Sequence, residues 1–148
     1  MKRLKTLRHP SVLTFLDSLE TDKYIVIVTE EVEPLFVSLS NMTEAKDFSI
    51  SWGLLSVCKG LVFLNNDCNL IHGNLNAGCI FVNNAGDWKI SNFEYMSHIE
   101  ESYCHQKYYS HKIYTAPELR NNKTLNKCVF ADKNNIIYIL MFFLLQNY

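Results

Sequence analysis

Residues 70–92 constrain the fold more than any other stretch of this chain. Leu70-Ile71 is apolar, 72–79 reads as a loop, and Ile80-Phe81-Val82 has the branched and aromatic character of a strand. Asn83-Asn84-Ala85-Gly86-Asp87 is a turn, with Gly86 able to take positive φ. Trp88-Lys89-Ile90 returns as a second short strand. A small hairpin behind a polar loop is therefore expected, and the rest of the chain must be arranged around it.

Upstream, Ser49 or Ser51 can cap a helix in which Leu54, Cys58, Leu61 and Val62 recur at helical spacing on one face. Gly60 lies inside that pattern, and the turn-rich Asn65-Asn66-Asp67-Cys68-Asn69 is expected to end the helix. Nearer the start, Leu4 and Leu7 sit one helical turn apart in a basic segment that stops before Pro10. Residues 12–19 and 24–32 read as strands joined by the polar turn Glu20-Thr21-Asp22-Lys23, an antiparallel hairpin. Pro34 is expected to break the second strand, before a short helix over 35–42 and a polar loop over 43–47. Residues 96–115 read as a long loop, and a buried helix is expected from Asp132 onward. Helices packed around two hairpins make the class α+β.

The 148 residues suit one compact domain, and a formal net charge of −1 gives no field that would recruit nucleic acid or an anionic membrane. Lys2, Arg3, Lys5 and Arg8 read as the solvated face of a helix. Five cysteines, an odd number without CxxC spacing, argue against a disulfide framework and for a reducing compartment. No apolar segment follows the basic start, so no signal peptide is expected. The longest apolar run, 136–145, is shorter than the ~20 residues of a membrane helix. No transmembrane segment is expected, and the chain reads as cytoplasmic.

Three short segments stand in the order of the protein-kinase signatures. His72-Gly73-Asn74-Leu75-Asn76-Ala77-Gly78-Cys79 takes the place of the catalytic loop H-R-D-L-x-x-x-N. Asn92-Phe93-Glu94 takes that of D-F-G, and Ala116-Pro117-Glu118 matches A-P-E without change. The opening Leu4-Lys5-Thr6-Leu7-Arg8-His9-Pro10 resembles the end of the kinase C-helix and its step into the next strand. Asp132 resembles the F-helix aspartate that steadies the catalytic loop. The chain resembles an incomplete protein-kinase-like fold, with an N-lobe remnant over 1–33 and a partial C-lobe over 34–148 that stops within the F-helix.

The wording is most similar to that of the Scy-like, N-terminal-kinase-like family of pseudokinases. Leu19-Glu20-Thr21-Asp22-Lys23, Ile50-Ser51-Trp52-Gly53-Leu54, the segment 66–72 and Gly86-Asp87-Trp88-Lys89 carry the likeness. That resemblance implies a degenerate kinase domain followed, in a longer parent, by helical repeats. It also implies coat or trafficking proteins as partners, in Golgi-to-ER traffic at the cytoplasmic side of Golgi membranes.

Phosphoryl transfer needs charge to clamp phosphate and metal, and a base to orient the nucleophile. Asn74 stands in the base position, where an amide cannot accept a proton. Cys79 stands at the second metal position, a soft thiol where magnesium wants oxygen, and Asn92 at the main one, neutral instead of anionic. Asn76 replaces a lysine found beside the transferring phosphate in many kinases, and Glu94 replaces the glycine of D-F-G. No Gly-x-Gly occurs, and by alignment with the family the phosphate-gripping lysine would precede Met1. Glu30-Glu31-Val32 matches the hinge that bonds adenine, but without those partners an empty or very weak pocket is expected, with no cofactor and no metal.

Structural positions fare better. Leu4, Phe15, His72 and Phe93 match the four-residue spine of kinases, and Glu118 and Asp132 match the scaffold of the lower lobe. His98, Cys104, His105 and His111 fit no common zinc spacing and read as incidental polar residues of a loop. The favoured reading is an inactive binding or scaffold module. Its rivals are an atypical, weakly active ATP-binding kinase and a gene fragment without independent function.

Overall fold

The computed structural model describes residues 5–99. The expectations for Leu4, for Ala116-Pro117-Glu118, for Asp132 and its helix, and for Cys104, His105 and His111 lie outside the described residues. Within them the fold is α+β. Its order is β1 (Phe15–Glu20), β2 (Ile25–Thr29), β3 (Val32–Pro34), α1 (Leu35–Asn41), α2 (Lys46–Val62), β4 (Leu70–Ile71), β5 (Ile80–Asn83), β6 (Trp88–Ile90) and β7 (Ser97–His98).

The expected first hairpin is present, and β1 pairs antiparallel with β2, from Glu20 opposite Ile25 to Phe15 opposite Thr29. Its turn is held by Thr21, whose hydroxyl donates to Tyr24 O at 2.9 Å. The second hairpin, β5 with β6, also forms as expected, with Gly86 at φ 85° in the turn. The second strand, however, ends at Thr29, short of the expected Val32. Residues 32–34 instead form β3, antiparallel to β5, with Pro34 opposite Phe81. β3 is an edge strand, so the missing proline N–H costs no interior ladder bond. It also straddles the expected lobe division at 33/34.

The segment before Pro10 differs from the expected helix. Lys5 and Thr6 form a turn, and residues 7–9 are irregular. Leu7 is buried in the core, and the His9 ring stacks on Phe63 at 4.8 Å while its Nδ1 accepts from Ser11 N at 3.1 Å. These tertiary anchors hold the backbone open where helical spacing alone suggested a coil of helix. The chain then ties into the second hairpin: Leu13 N donates to Ile90 O at 2.9 Å and Ile90 N to Ser11 O at 2.8 Å.

α2 begins at Lys46, earlier than either proposed cap. Ala45 precedes it in a left-handed conformation with no capping side chain, and Asp47 in the first turn complements the positive end of the helix. Ser51 lies inside the helix and its hydroxyl bonds back to Asp47 O. At the other end the expected stop at Asn65 is overrun: a π-helical turn, Phe63–Asp67, continues the helix, and Asn69 at φ 53° turns the chain away.

The buried face of α2 also differs from the expected one. Ile50, Leu54, Val57 and Leu61 are buried, Cys58 is half-buried and Val62 is exposed. Two glycines lie on that face and explain it. A side chain at Gly53 would overlap the Trp88 ring, and one at Gly60 would come within 2.8 Å of Ile90 and 3.2 Å of Ser11. The missing β-carbons let β6 lie directly on the helix. Helix and π turn together, Lys46–Asp67, span 22 residues at hydropathy 1.4, long and apolar enough by composition alone to cross a membrane. One face of it packs on Trp88 and Ile90.

The start of the expected long loop is a strand. β7 pairs antiparallel with β4, His98 opposite Leu70 and Ser97 opposite Ile71, and Ile99 N donates to Asn69 O at 3.0 Å.

Candidate functional site

The loop after β4 and the turn after β6 meet at one place. His72 is fully buried, and its Nε2 lies 2.8 Å from Ser91 O, while its ring meets Phe93 edge-on at 5.4 Å. Gly73 follows at φ 80°, and a side chain there would strike Tyr95 O at 2.8 Å. The kinase pattern has arginine at this position. Here the backbone demands glycine, so the substitution is tied to local geometry. Of the four expected spine residues, His72 and Phe93 are brought together, and Phe15 is buried at the start of β1 under the Lys5 ammonium, 5.4 Å from its ring.

The four degenerate positions converge. The Asn76 carboxamide caps the short 3-10 turn Ala77–Cys79, accepting from Gly78 N at 2.9 Å, while its Nδ2 donates to Asn74 O at 2.9 Å. Cys79 is buried, and its thiol donates to the same Asn74 carbonyl at 3.2 Å. From the turn after β6, Asn92 Nδ2 donates to Gly78 O at 3.3 Å and approaches Cys79 Sγ at 3.8 Å, and Asn92 Oδ1 accepts from the Ser91 hydroxyl at 3.1 Å. Asn92 sits at φ 59°, a left-handed conformation that asparagine tolerates better than most residues. Ser91 N donating to Cys79 O at 2.8 Å closes the two segments.

This is a set of neutral groups bonded to one another. Burial pushes the Cys79 thiol up, the nearby Glu94 charge adds to that, and bonds from Asn76 and Asn92 only partly offset it. At neutral pH it stays a thiol, a donor rather than a ligand. The kinase pattern sets one carboxylate and one carboxamide oxygen on magnesium, whereas Asn92 offers no charge and Cys79, a protonated thiol, offers no oxygen, so the pair does not fit a magnesium–nucleotide.

The expected hinge residues are each engaged elsewhere. Glu30 Oε1 accepts from Thr14 N at 2.8 Å, and its Oε2 lies 3.6 Å from Lys89 Nζ. The Glu30 carbonyl accepts from the Thr29 hydroxyl at 3.0 Å. Glu31 accepts from Asn84 Nδ2 at 2.9 Å, and Val32 stands opposite Asn83 in the sheet. Burial opposes ionisation of Glu30, but the Thr14 hydrogen bonds and the Lys89 charge outweigh it, and its carboxyl titrates below the ordinary range. Lys89 itself is buried on β6 and donates to Pro10 O at 2.7 Å. Sequence reasoning missed Lys89 as a clasp. The only signal was a lysine in the middle of an apolar three-residue strand.

Comparison with known proteins agrees with this geometry. The model of the protein kinase domain family matches residues 1–130. A Dictyostelium discoideum protein, "Probable inactive serine/threonine-protein kinase scy1", is 47% identical over 100 residues, covering 68% of this chain and 12% of that protein. The human "SCY1-like protein 2" is 31% identical over 112 residues, covering 64% of this chain and 12% of its own length. The mouse "Protein-associating with the carboxyl-terminal domain of ezrin" is 34% identical over 101 residues, covering 68% and 13%. The chain thus spans about an eighth of the length of these relatives. An α+β chain with a kinase-domain match over most of its length and a run of Scy-like relatives belongs to the protein kinase superfamily, in its Scy-like pseudokinase branch.

Proposed function

We propose that this chain is a kinase-like module that transfers no phosphate and acts by binding other proteins. One observation carries the proposal: the metal positions Cys79 and Asn92, with Asn76 and the backbone carbonyl of Asn74, form a neutral network bonded to itself. A positioned base is worth ~10²–10⁴-fold in rate, and an asparagine at Asn74 offers none. The name of the Dictyostelium relative, "probable inactive", supports the same reading. The likeness to Scy-like proteins further supports a cytoplasmic module within a longer parent, held at Golgi membranes through coat or trafficking partners.

The rival reading, a weakly active kinase, has a candidate carboxylate in Glu94, whose charge reaches Cys79. Incubation with radiolabelled ATP and magnesium or manganese separates the two. The expected result is no incorporation above a boiled control, from the chain or from its Glu94→Gln variant. Reproducible label that disappears in Asn92→Ala or Glu94→Gln would establish the rival.

A further inference from the structure

The loop over 72–79 and the turn after β6 meet at the degenerate positions. In the kinase pattern magnesium joins these two segments, held by the aspartate of one and the asparagine of the other. The residues here do not suit that ion, yet the segments are tied to each other directly. Asn92 Nδ2 has two acceptors across the junction, Gly78 O at 3.3 Å and Cys79 Sγ at 3.8 Å. Its Oδ1 accepts from the Ser91 hydroxyl at 3.1 Å, so the whole carboxamide is engaged. The loop is pinned from within as well. The Asn74 carbonyl accepts from Asn76 Nδ2 at 2.9 Å and from the Cys79 thiol at 3.2 Å, while Asn76 Oδ1 accepts from Gly78 N at 2.9 Å.

We infer that these side-chain bonds do the joining that magnesium does in a kinase, and hold the site in one form at any level of nucleotide or magnesium. This deepens the reading of an inactive binding module and rests on it: the module keeps one shape without a ligand to set it. The kinase residues do not serve the same end. An aspartate at 92 has the outline of asparagine but no N–H to give, and it sets a carboxylate against the Gly78 carbonyl and the Cys79 sulfur. A lysine at 76 has no oxygen for Gly78 N. An asparagine at 79 is larger than the thiol it replaces, at a position 1% exposed. Asn92 has a second use, its left-handed backbone at φ 59°. Glycine suits that backbone and carries no carboxamide, so it separates the two uses.

Hydrogen–deuterium exchange of the 148-residue chain, read by mass spectrometry, tests this. Exchange over 72–79 and 88–95 is expected to be the same with and without magnesium–ATP. Asn92→Asp and Asn92→Gly are both expected to speed it about two- to tenfold, the share of one such bond, while the first hairpin keeps its rate. Slower exchange of the unaltered chain on adding magnesium–ATP overturns the inference. So does unaltered exchange in both variants, or faster exchange in Asn92→Asp alone, which would assign the effect to the introduced charge. A gain shared equally by the first hairpin also overturns it, as a general loss of stability. Incorporation of labelled phosphate, measured in the same samples, is a separate readout. Label in the unaltered chain sinks the inactive module itself, whereas exchange slowed by magnesium–ATP without label sinks the ligand-free junction alone.

Discussion

In the hairpin β1–β2 the consecutive residues Ile25, Val26, Ile27 and Val28 are 44–55% exposed, whereas in β5–β6 Ile80, Val82, Trp88 and Ile90 are at most 2% exposed. Both are antiparallel, both are rich in branched or aromatic side chains, and both close through a polar turn. What separates them is cover. α2 presents two glycines to β6, so the sheet can approach until the Trp88 ring rests on the helix backbone. Neither face of β2 has an equivalent among the described residues. Strand-forming composition therefore selects a conformation, and the burial of that conformation is decided by what a distant element lacks.

The largest expected break in this contrast is Trp88→Ala. Removing a buried aromatic typically costs ~3–5 kcal/mol. Denaturant unfolding followed by far-UV circular dichroism should show most of the stability gone, and a loss under ~1 kcal/mol would mean that the Trp88 contact does not hold the core. Next comes Gly53→Ala, which adds a methyl where the ring already lies and should cost ~1–3 kcal/mol by forcing a shift. A neutral result would show that the two elements have slack between them.

Glu30→Gln ranks third. It leaves the buried Lys89 ammonium without its carboxylate, at a cost of ~1–3 kcal/mol. Glu30, held by the Thr14 hydrogen bonds and then by the Lys89 charge, also gives a pH dependence whose sign follows from its lowered titration. A carboxyl that titrates lower in the folded chain than in the unfolded one stabilises fully above the unfolded value, and the contribution is lost as pH falls through the folded one. The window opens at the ordinary glutamate value of about 4.3 and extends downward. The Gln variant should lose that part of the acid dependence, and an unchanged profile would assign it to other carboxylates. Smallest of all, Ile27→Thr on the exposed hairpin should move stability by no more than ~0.5 kcal/mol. A larger loss would show that the exposed strand is covered after all.

Much of this was legible in the residues. Both hairpins, the short helix α1 and the body of α2 follow from alternation, turn residues and helical spacing. So does the meeting of Asn74, Cys79 and Asn92, because they occupy signature positions that the fold brings together. Apolar spacing puts Val62 on the buried face of α2, whereas the face is set by Gly53 and Gly60, residues with no side chain to register in a hydrophobic pattern. Pro34 reads as a breaker, yet an edge strand has no use for its missing donor. β7 and the Lys89–Glu30 clasp depend on pairings across dozens of residues, which local periodicity does not carry.

The contact of Gly53 with Trp88 also bears on the order in which the chain folds. β1 and β2 are joined by a tight turn and can pair as soon as that turn closes. β6 can meet α2 only after the long intervening segment has been looped, an entropic cost incurred before any contact forms. Refolding should therefore be governed by the arrival of Trp88 against the helix. The early hairpin, formed or unformed, is a bystander to the slow step.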